Sequence, residues 1–191
     1  MEKTLTQEPS NCIKIVLFGP ESTGKTTLAK QLATYYQTEW VPEFMREYLE
    51  EKWHSKKEKI NQGDILPIAL GQIHSENKLT KKANTFLFCD TNLLEIKVYC
   101  DYYYKNFCPS ELLEATQKHQ YHHYFLTATD VPWQWDILRD RPYDRSTLFC
   151  MFEAELKTNN LPFTVLSGNE EERLSVAKKV VDNLKRNYYA Y

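Results

Sequence analysis

The eight residues GPESTGKT, at positions 19–26, constrain this chain more than any other stretch of its sequence. The chain contains five glycines, and two of them, Gly19 and Gly24, lie within these eight residues. An apolar run at 13–18 precedes the stretch, and the helix-like segment TLAKQLA follows it at 27–33. The glycines therefore mark a strand-to-helix turn with the spacing G-x-x-x-x-G-K-[ST], which is typical of a phosphate-binding loop rather than of a plain glycine turn.

Each fixed position of this loop has a physical reason. Glycine permits backbone conformations in which successive N–H groups turn inward around an anion, and the helix that begins near Lys25 adds the positive end of its dipole. The Lys25 ammonium is placed to reach the β- and γ-phosphates, and the Thr26 hydroxyl is placed to ligate Mg²⁺. We therefore predict a site for ATP with Mg²⁺. The predicted phosphate-binding residues of the loop are Gly19, Glu21, Ser22, Thr23, Gly24, Lys25, Thr26 and Thr27.

Short apolar runs alternate with longer helical patterns along the rest of the chain. This alternation predicts a parallel sheet wrapped by helices. The strand candidates are 13–18, 39–42, 85–90, 122–128 and 163–167. We predict an α/β fold of the P-loop NTPase type: a doubly wound, parallel five-stranded sheet flanked by helices, with a helical lid. We predict a single domain over residues 1–191, with residues 1–11 disordered or loosely attached.

Composition excludes several classes of protein. The 191 residues are 42% hydrophobic, which fits one soluble domain, and 26 acidic residues against 24 basic ones leave a net charge of −2, which predicts no nucleic-acid surface. No apolar run approaches the roughly eighteen residues of a membrane helix, and the start of the chain lacks the apolar core of a signal peptide. The five cysteines show no C-x-x-C pair, which favours free thiols. We expect a cytoplasmic protein that binds neither nucleic acid nor membrane, and the sequence leaves homo-oligomers open.

The stretch TFLFCDTN, at residues 85–92, is the second chemical feature. It reads as an apolar strand that ends in Asp90, and ligands gather at the carboxyl ends of strands in open α/β sheets. A carboxylate there can hold the Mg²⁺ that bridges nucleotide phosphates, whereas Asp90 alone would more often cap a helix. Together with the loop at 19–26, the stretch favours Asp90 as the metal-side carboxylate.

The stretch WVPEFMREYLEE, at residues 40–51, places Glu43 just after the second strand candidate. Glu43 and Glu47 would share a helix face, with Arg46 beside them. This group could bind and deprotonate a hydroxylated acceptor, and Glu43 is the more suitable base. A surface charge cluster that caps a helix is the structural alternative. The following segment 50–64 is charged and poorly periodic, and we interpret it as a solvated surface insertion.

The stretch VPWQWDILRDRPYDR, at residues 131–145, contains three arginines among aromatic side chains. Kinases commonly bring arginines to the transferring phosphoryl group on a segment that closes and excludes water. Arg139 and Arg141 are therefore predicted to bind phosphate, and Trp133 and Trp135 could stack on a planar heterocycle. A surface helix with Arg–Asp pairs is the alternative.

Five segments together resemble the ribosylnicotinamide kinase domain of the NadR type, within the small P-loop kinases. The likeness covers nearly the whole chain from about residue 12 and depends on the order of the segments. They are GPESTGKTTLAKQLA, PEFMREYLEE, PIALGQIHSENKLTKKAN leading into LFCDTN, PWQWDILR, and LPFTVLSGNEEER. The H-x-G-H type motif and the DNA-binding segment of larger family members do not occur in this sequence, which argues against a second activity.

The resemblance implies ATP-dependent phosphorylation of the 5′-hydroxyl of nicotinamide riboside, which gives nicotinamide mononucleotide. It implies that Glu43 and Arg46 face the ribose and that Asp90 handles metal or a proton. Arg139 would approach the phosphates, and Trp133 or Trp135 would lie near the nucleoside. The turn SGNEEER resembles the adenine-side turn of related kinases. The predicted catalytic residues are Lys25, Glu43, Asp90 and Arg139.

Three other functions remain as alternatives. A GTPase would need N-K-x-D and D-x-x-G motifs, and neither TATD at 127–130 nor DTN at 90–92 supplies them. A regulatory ATP-binding module would hydrolyse ATP in response to a partner, without a phosphorylated product. Another small-molecule kinase, such as a deoxynucleoside kinase, would share the phosphate loop and differ in its acceptor.

Overall fold

A computed structural model describes residues 4–105, 107–136 and 143–188 of the chain. Its five strands are β1 (Ile13–Phe18), β2 (Glu39–Val41), β3 (Phe86–Asp90), β4 (His123–Thr127) and β5 (Phe163–Leu166). Its seven α-helices in these ranges are α1 (Lys25–Tyr36), α2 (Phe44–Lys56), α3 (Ile65–Thr80), α4 (Leu93–Tyr104), α5 (Ser110–Lys118), α6 (Arg145–Thr158) and α7 (Glu170–Tyr188). A short 3-10 helix, Gln62–Asp64, leads into α3.

The strands form one parallel sheet in the order β2-β3-β1-β4-β5. On one face the side chains of β1, β3 and β4 pack against α1 and α7, and on the other face they pack against α4 and α6. A further apolar cluster joins α3, α4 and α5. Because helices cover both faces, the central strands are mainly apolar, and the six residues of β1 are all buried, including Lys14, which pairs with Glu76. The predicted α/β P-loop fold is confirmed.

The order of the strands determines where a ligand can bind. From β1 the chain crosses to β2 and then to β3 on one side, and it later continues to β4 on the other side of β1. Such a switch point opens a crevice at the carboxyl ends of the strands. The loop at 19–26 follows β1 directly and therefore lies at this crevice. Among the helices in the described ranges, none combines the length and the apolar character that crossing a bilayer requires.

The N-terminal segment differs from its expectation. Residues 4–11 were expected to be loosely attached, but the Leu5 carbonyl lies 2.7 Å from Nε2 of His119, and Gln7 Nε2 donates to Glu76 at 2.8 Å. These bonds satisfy backbone and side-chain groups of the N-terminal segment, which holds it against α3 and α5. Residues 1–3 lie outside the described residues.

The segment 50–64 is largely exposed, as its charge predicts, and Lys52 and Asp64 are its buried residues. Its first part continues α2, and within it Lys52 is buried with Asp64, at 2.6 Å between Nζ and Oδ2. Tyr48 donates to the other oxygen of Asp64 at 2.9 Å, and the Asn61 N–H donates to Oδ2 at 2.8 Å. The carboxylate of Asp64 thus fixes the loop that joins α2 to α3, because three donors converge on it.

Candidate active site

The phosphate loop is held in shape by its contacts with the end of β4. Gly19 has φ +132°, and a Cβ there would lie 2.8 Å from Oγ1 of Thr127. Thr23 bonds to the same hydroxyl at 2.7 Å and donates to the Pro20 carbonyl at 2.7 Å. Gly24 adopts φ +85° at the N-terminus of α1. Glycine is needed at both positions because a side chain would be strained, and at Gly19 it would also clash with β4.

Lys25 is buried at the start of α1 and has three partners. Its Nζ donates to the carbonyls of Gly19 at 2.6 Å and Pro20 at 3.1 Å, and it lies 3.3 Å from Oε1 of Glu95. Burial opposes the charge, but the carboxylates of Glu95, Glu43 and Asp90 outweigh it and raise the pKa of Lys25. The ammonium is therefore permanently charged and lies among carbonyls and carboxylates that a bound phosphate can replace.

Thr26 and Asp90 lie together, as the metal-side pair predicted from the sequence. The Thr26 hydroxyl donates to Oδ2 of Asp90 at 2.5 Å, and Oδ1 of Asp90 is buried without a hydrogen-bond partner in the described part of the chain. Burial, with the charge of Glu43, raises the pKa of Asp90 to about 6, although Lys25 acts in the opposite direction. An unpaired carboxylate oxygen beside a threonine hydroxyl fits the oxygen ligands that Mg²⁺ prefers.

The described residues form no cluster of three or more histidine, cysteine or acidic side chains that could enclose a metal. Mg²⁺ in kinases does not require such a cluster, because it is held by one or two protein oxygens together with phosphates and water. Thr26 and Asp90 are the side chains that could hold it.

Glu95 is a site residue that the sequence analysis missed. It lies in the first turn of α4, where Asn92 caps the helix by accepting a bond from the Glu95 N–H at 3.2 Å. Its carboxylate is 1% exposed and faces Lys25. Burial raises the pKa of Glu95 to about 8, although Lys25 lowers it. The spacing from Asn92 to Glu95 would have suggested only a helix cap, because sequence spacing does not reveal a contact with a distant lysine.

Glu43 lies at the entrance of α2 and is half-buried. It is the N-cap residue, yet its side chain makes no capping hydrogen bond. The Phe44 N–H is instead bound by Oε1 of Gln72 at 2.8 Å. The Glu43 carboxylate is therefore not occupied as a helix cap. It lines the same cavity as Lys25 and Thr26.

Arg46 lies one turn into α2 and pairs with Asp136 at 2.9 Å. Asp136 belongs to the segment after β4, so this ion pair joins α2 to the predicted lid across the cavity. Both side chains line the cavity. Burial opposes the charge of Arg46, but Asp136 outweighs it and raises its pKa.

The predicted lid is only partly described. Arg139 and Arg141 lie outside the described residues. Residues 131–136 are not helical, and neither Trp133 nor Trp135 is among the side chains that line the cavity. The guanidinium carbon of Arg145 lies 6.0 Å from the centroid of the Trp133 ring, and Trp135 is 80% exposed. Neither tryptophan is brought to the cavity, whereas Val131, Pro132, Gln134 and Asp136 of the same segment line it.

Arg145 fixes this segment to the phosphate loop. Its Nη1 donates to the carbonyls of Ser22 at 3.1 Å and Val131 at 3.0 Å. The Gln134 N–H also donates to the Ser22 hydroxyl at 2.9 Å. Arg145 therefore supports the phosphate loop by binding a backbone carbonyl of that loop. Lid arginines were expected to contact phosphate instead.

The cavity in front of the loop has a volume of about 650 Å³. One end is formed by the phosphate loop, with Glu21, Thr27 and the other loop residues from 21 to 27. The other end is apolar and aromatic. It is lined by Met45, Leu49, Ile60, Ile65, Ile68, Ile96, Tyr99, Tyr103 and Tyr104. A volume of this size accommodates a small molecule, and the two ends differ in the chemistry they offer.

Three comparisons place the chain among known proteins. The family model described as an AAA domain matches residues 14–173. The trifunctional NAD biosynthesis/regulator protein NadR of Salmonella typhimurium is 26% identical over 151 residues, which are 78% of this chain and 37% of that protein. The chain thus spans little more than a third of the length of this relative.

Two solved structures share the fold. A NadR protein in complex with NR superposes with a TM-score of 0.72 at 18% identity, over 95% of this chain and 50% of that one. A deoxyadenosine kinase from M. mycoides, with products dCMP and dCDP, has a TM-score of 0.60 at 16% identity, over 90% and 100% of the two chains. These identities establish the common fold, and the relatives are consistent with the ATP-dependent kinase predicted from the sequence.

The resemblance to NadR-type kinase domains that the five segments indicate is confirmed by these matches. Because the family model covers most of the sequence, from the second residue of β1 into α7, the chain belongs to the AAA domain family.

Proposed function

We propose that this protein transfers the γ-phosphoryl group of ATP to the 5′-hydroxyl of a nucleoside-like acceptor, with nicotinamide riboside as the first choice. The observation that carries the proposal is the position of Glu43. Its carboxylate makes no capping bond and lies on the same cavity as the phosphate loop, next to the apolar and aromatic end. A base, a phosphate site and space for a nucleoside therefore meet in one cavity.

On the donor side, the N–H groups of the loop and Lys25 bind the phosphates. Lys25 leaves the carbonyls of Gly19 and Pro20 for the more negative phosphate oxygens. Thr26 and Asp90 are the side chains that would hold Mg²⁺, and the ion would neutralise charge on the phosphates. Arg139 and Arg141 are assigned to phosphate contacts from the sequence, because kinases commonly bring arginines to the transferring group, and the family resemblance adds support for Arg139.

On the acceptor side, Glu43 accepts the proton of the attacking hydroxyl. The hydroxyl oxygen forms a bond to the γ-phosphorus, the bond from that phosphorus to the β–γ bridging oxygen breaks, and ADP leaves. Arg46 holds the ribose end, and its pair with Asp136 closes the cavity from the side of the segment after β4. Lys25 offsets charge that develops in the transition state.

The relatives support this choice of acceptor. The NadR structure that shares the fold is described as a complex with NR, and the Salmonella relative is described as a protein of NAD biosynthesis. We extend this to the present chain and propose the conversion of nicotinamide riboside to nicotinamide mononucleotide. The deoxyadenosine kinase with the same fold makes a deoxynucleoside the second choice of acceptor.

An acceptor screen tests the proposal. Purified protein with ATP and Mg²⁺ is presented with nicotinamide riboside, with the common ribo- and deoxynucleosides, and with small metabolites, while ADP release is followed. We expect ADP release to depend on acceptor and to be fastest with nicotinamide riboside. A preference for deoxynucleosides would indicate that the acceptor is a deoxynucleoside. ATP hydrolysis stimulated only by a protein partner would indicate a regulatory ATP-binding module instead of a kinase.

The metal assignment makes a separate prediction. Asp90→Asn keeps an oxygen that can accept the bond from Thr26 but removes the negative charge. We expect the Mg²⁺ concentration at half-maximal rate to rise severalfold, because one anionic partner of the metal is lost. The measurement is a rate titration with Mg²⁺ at saturating ATP. A titration curve that coincides with that of the wild type would return Asp90 to a structural role.

A further inference from the structure

Arg173 is a buried cation that the proposed chemistry does not use. It lies in the first turns of α7 and is 4% exposed, although arginine is almost never fully buried unless it is paired. Arg173 is the last residue of the turn SGNEEER, and the stretch TATD occupies residues 127–130, beginning at the last residue of β4. The structure joins these two segments through this one side chain.

The guanidinium connects three segments of the chain. Nη1 donates to the carbonyl of Thr23 in the phosphate loop at 2.6 Å. Nε donates to the carbonyl of Gly168 at 2.9 Å, and Nη2 donates to the carbonyl of Ala128 at 3.1 Å and to the carboxylate of Asp130. Four of the five N–H donors of an arginine are used in this way. The phosphate loop, the end of β4 and the turn before α7 are thus tied to one planar group.

Asp130 completes the arrangement. Its second oxygen accepts the Gly168 N–H at 2.6 Å. Burial opposes ionisation, but this bond and the charge of Arg173 lower the pKa of Asp130. The carboxylate therefore remains charged at neutral pH and compensates the buried guanidinium, which would otherwise be costly.

We propose that Arg173 is a positioning residue that holds the phosphate loop in its anion-binding shape. The inference rests on the proposed ATP site. The carbonyl of Thr23 must point away from the phosphates so that the N–H groups of the following residues can point toward them, and Arg173, which also lines the cavity, binds this carbonyl. The Thr23 hydroxyl is bound to Thr127 on the same side, so the peptide is held at two points.

Lysine cannot replace this arginine. A single ammonium group has three donors at one point, whereas the contacts of Arg173 leave from three separate nitrogens in one plane. Arg173→Lys therefore keeps the charge and most of the aliphatic chain but loses the simultaneous contacts with the three carbonyls. Arg186→Lys is the matched control, because Arg186 lies exposed on the same helix and bonds to the Asp182 carbonyl within it.

The test measures binding of two anions to the wild type, Arg173→Lys and Arg186→Lys, each well below its own melting temperature and without acceptor. ATP and inorganic tripolyphosphate are titrated by calorimetry in the presence of Mg²⁺. We expect the dissociation constants of both to rise by roughly tenfold or more in Arg173→Lys, since the loop loses bonds to a charged group, and to stay unchanged in Arg186→Lys. Asp130→Asn should weaken both in the same direction by a smaller factor.

Three results would overturn the proposal. A lower melting temperature of Arg173→Lys with unchanged affinity for both anions would show that Arg173 only attaches α7. Weaker ATP binding with unchanged tripolyphosphate binding would place its effect on the nucleoside. If Arg173→Lys does not fold, unchanged affinities of folded Asp130→Asn for ATP and tripolyphosphate would also overturn the proposal. A wild type that binds neither anion would instead contradict the proposed function itself, so the two failures can be told apart.

Discussion

Lys25→Met should lower the rate of phosphoryl transfer by at least about a thousandfold, because the only lysine of the phosphate loop stabilises charge on the transferring group. Lys25 is buried and lines the cavity together with the other residues of the phosphate loop. The measurement is single-turnover transfer with saturating ATP and acceptor. Lys30→Met is the control on the same helix, since Lys30 lies over the Trp40 ring on the surface. Near-normal transfer by a folded Lys25→Met protein would refute the assignment.

The same substitution should also destabilise the fold. Removing Lys25 leaves the buried Glu95 carboxylate without its counter-ion, and breaking a buried pair costs about 3–5 kcal/mol when the remaining group stays charged. Glu95 can reduce this cost by binding a proton, since its pKa is already raised to about 8 by burial. A carboxyl group with a raised pKa in the folded state favours folding at low pH and disfavours it as the pH rises.

The melting temperature of Lys25→Met should therefore fall further below that of the wild type as the pH is raised. Adding Glu95→Gln should restore much of the stability and none of the activity. This double variant separates the two roles of Lys25, because it removes the unpaired carboxylate without returning the ammonium to the phosphates. An activity that recovers together with stability would mean that the loss in the single variant came from unfolding.

Glu43→Gln should lower the transfer rate by roughly a hundredfold or more, the range typical of removing a general base. Glutamine keeps the size of the side chain but cannot accept the hydroxyl proton. ATP affinity should remain close to that of the wild type, since the loop is intact. Thermal stability should also change little, because the Glu43 side chain makes no capping bond and Gln72 holds the Phe44 N–H.

Glu47→Gln is the matched control for this prediction. Glu47 follows one turn later on α2, is exposed, and is not among the described residues that line the cavity. Its substitution should leave the rate within a few-fold of wild type. If Glu43→Gln also transfers at a normal rate, the proton must go elsewhere. Asp90 and Glu95 are then the remaining carboxyl groups near Lys25, with pKa values raised to about 6 and about 8.

Features that depend on local sequence could be predicted well. The five strand candidates agree with the structure to within one residue at each end, because buried parallel strands are short apolar runs bounded by polar residues. The pairing of Thr26 with Asp90 could also be predicted, since both follow central strands and the carboxyl ends of parallel strands meet at one edge. The cavity brings Glu43, Arg46 and Lys25 together as expected.

Features that depend on contacts between distant segments could not be predicted. Arg173 reaches Thr23 across 150 residues of sequence, and its spacing in NEEER suggests only a charged helix start. Glu95 looks like a helix-capping glutamate, and only the fold shows that Lys25 faces it. The position of Trp133 and Trp135 could not be predicted for a different reason. Their position beside arginines predicted that they could stack on a planar heterocycle. The direction of side chains in an irregular segment, however, follows no periodicity that the sequence displays.

The central claim is that a phosphoryl group passes from ATP to the 5′-hydroxyl of a nucleoside. The most direct measurement is phosphorus NMR of a reaction with nicotinamide riboside, ATP and Mg²⁺, together with the mass of the product. We predict a new phosphate monoester resonance coupled to the 5′-methylene protons, which grows in step with ADP and carries the mass of nicotinamide mononucleotide. ADP that accumulates together with inorganic phosphate, with no phosphate monoester from any nucleoside supplied, would contradict the claim.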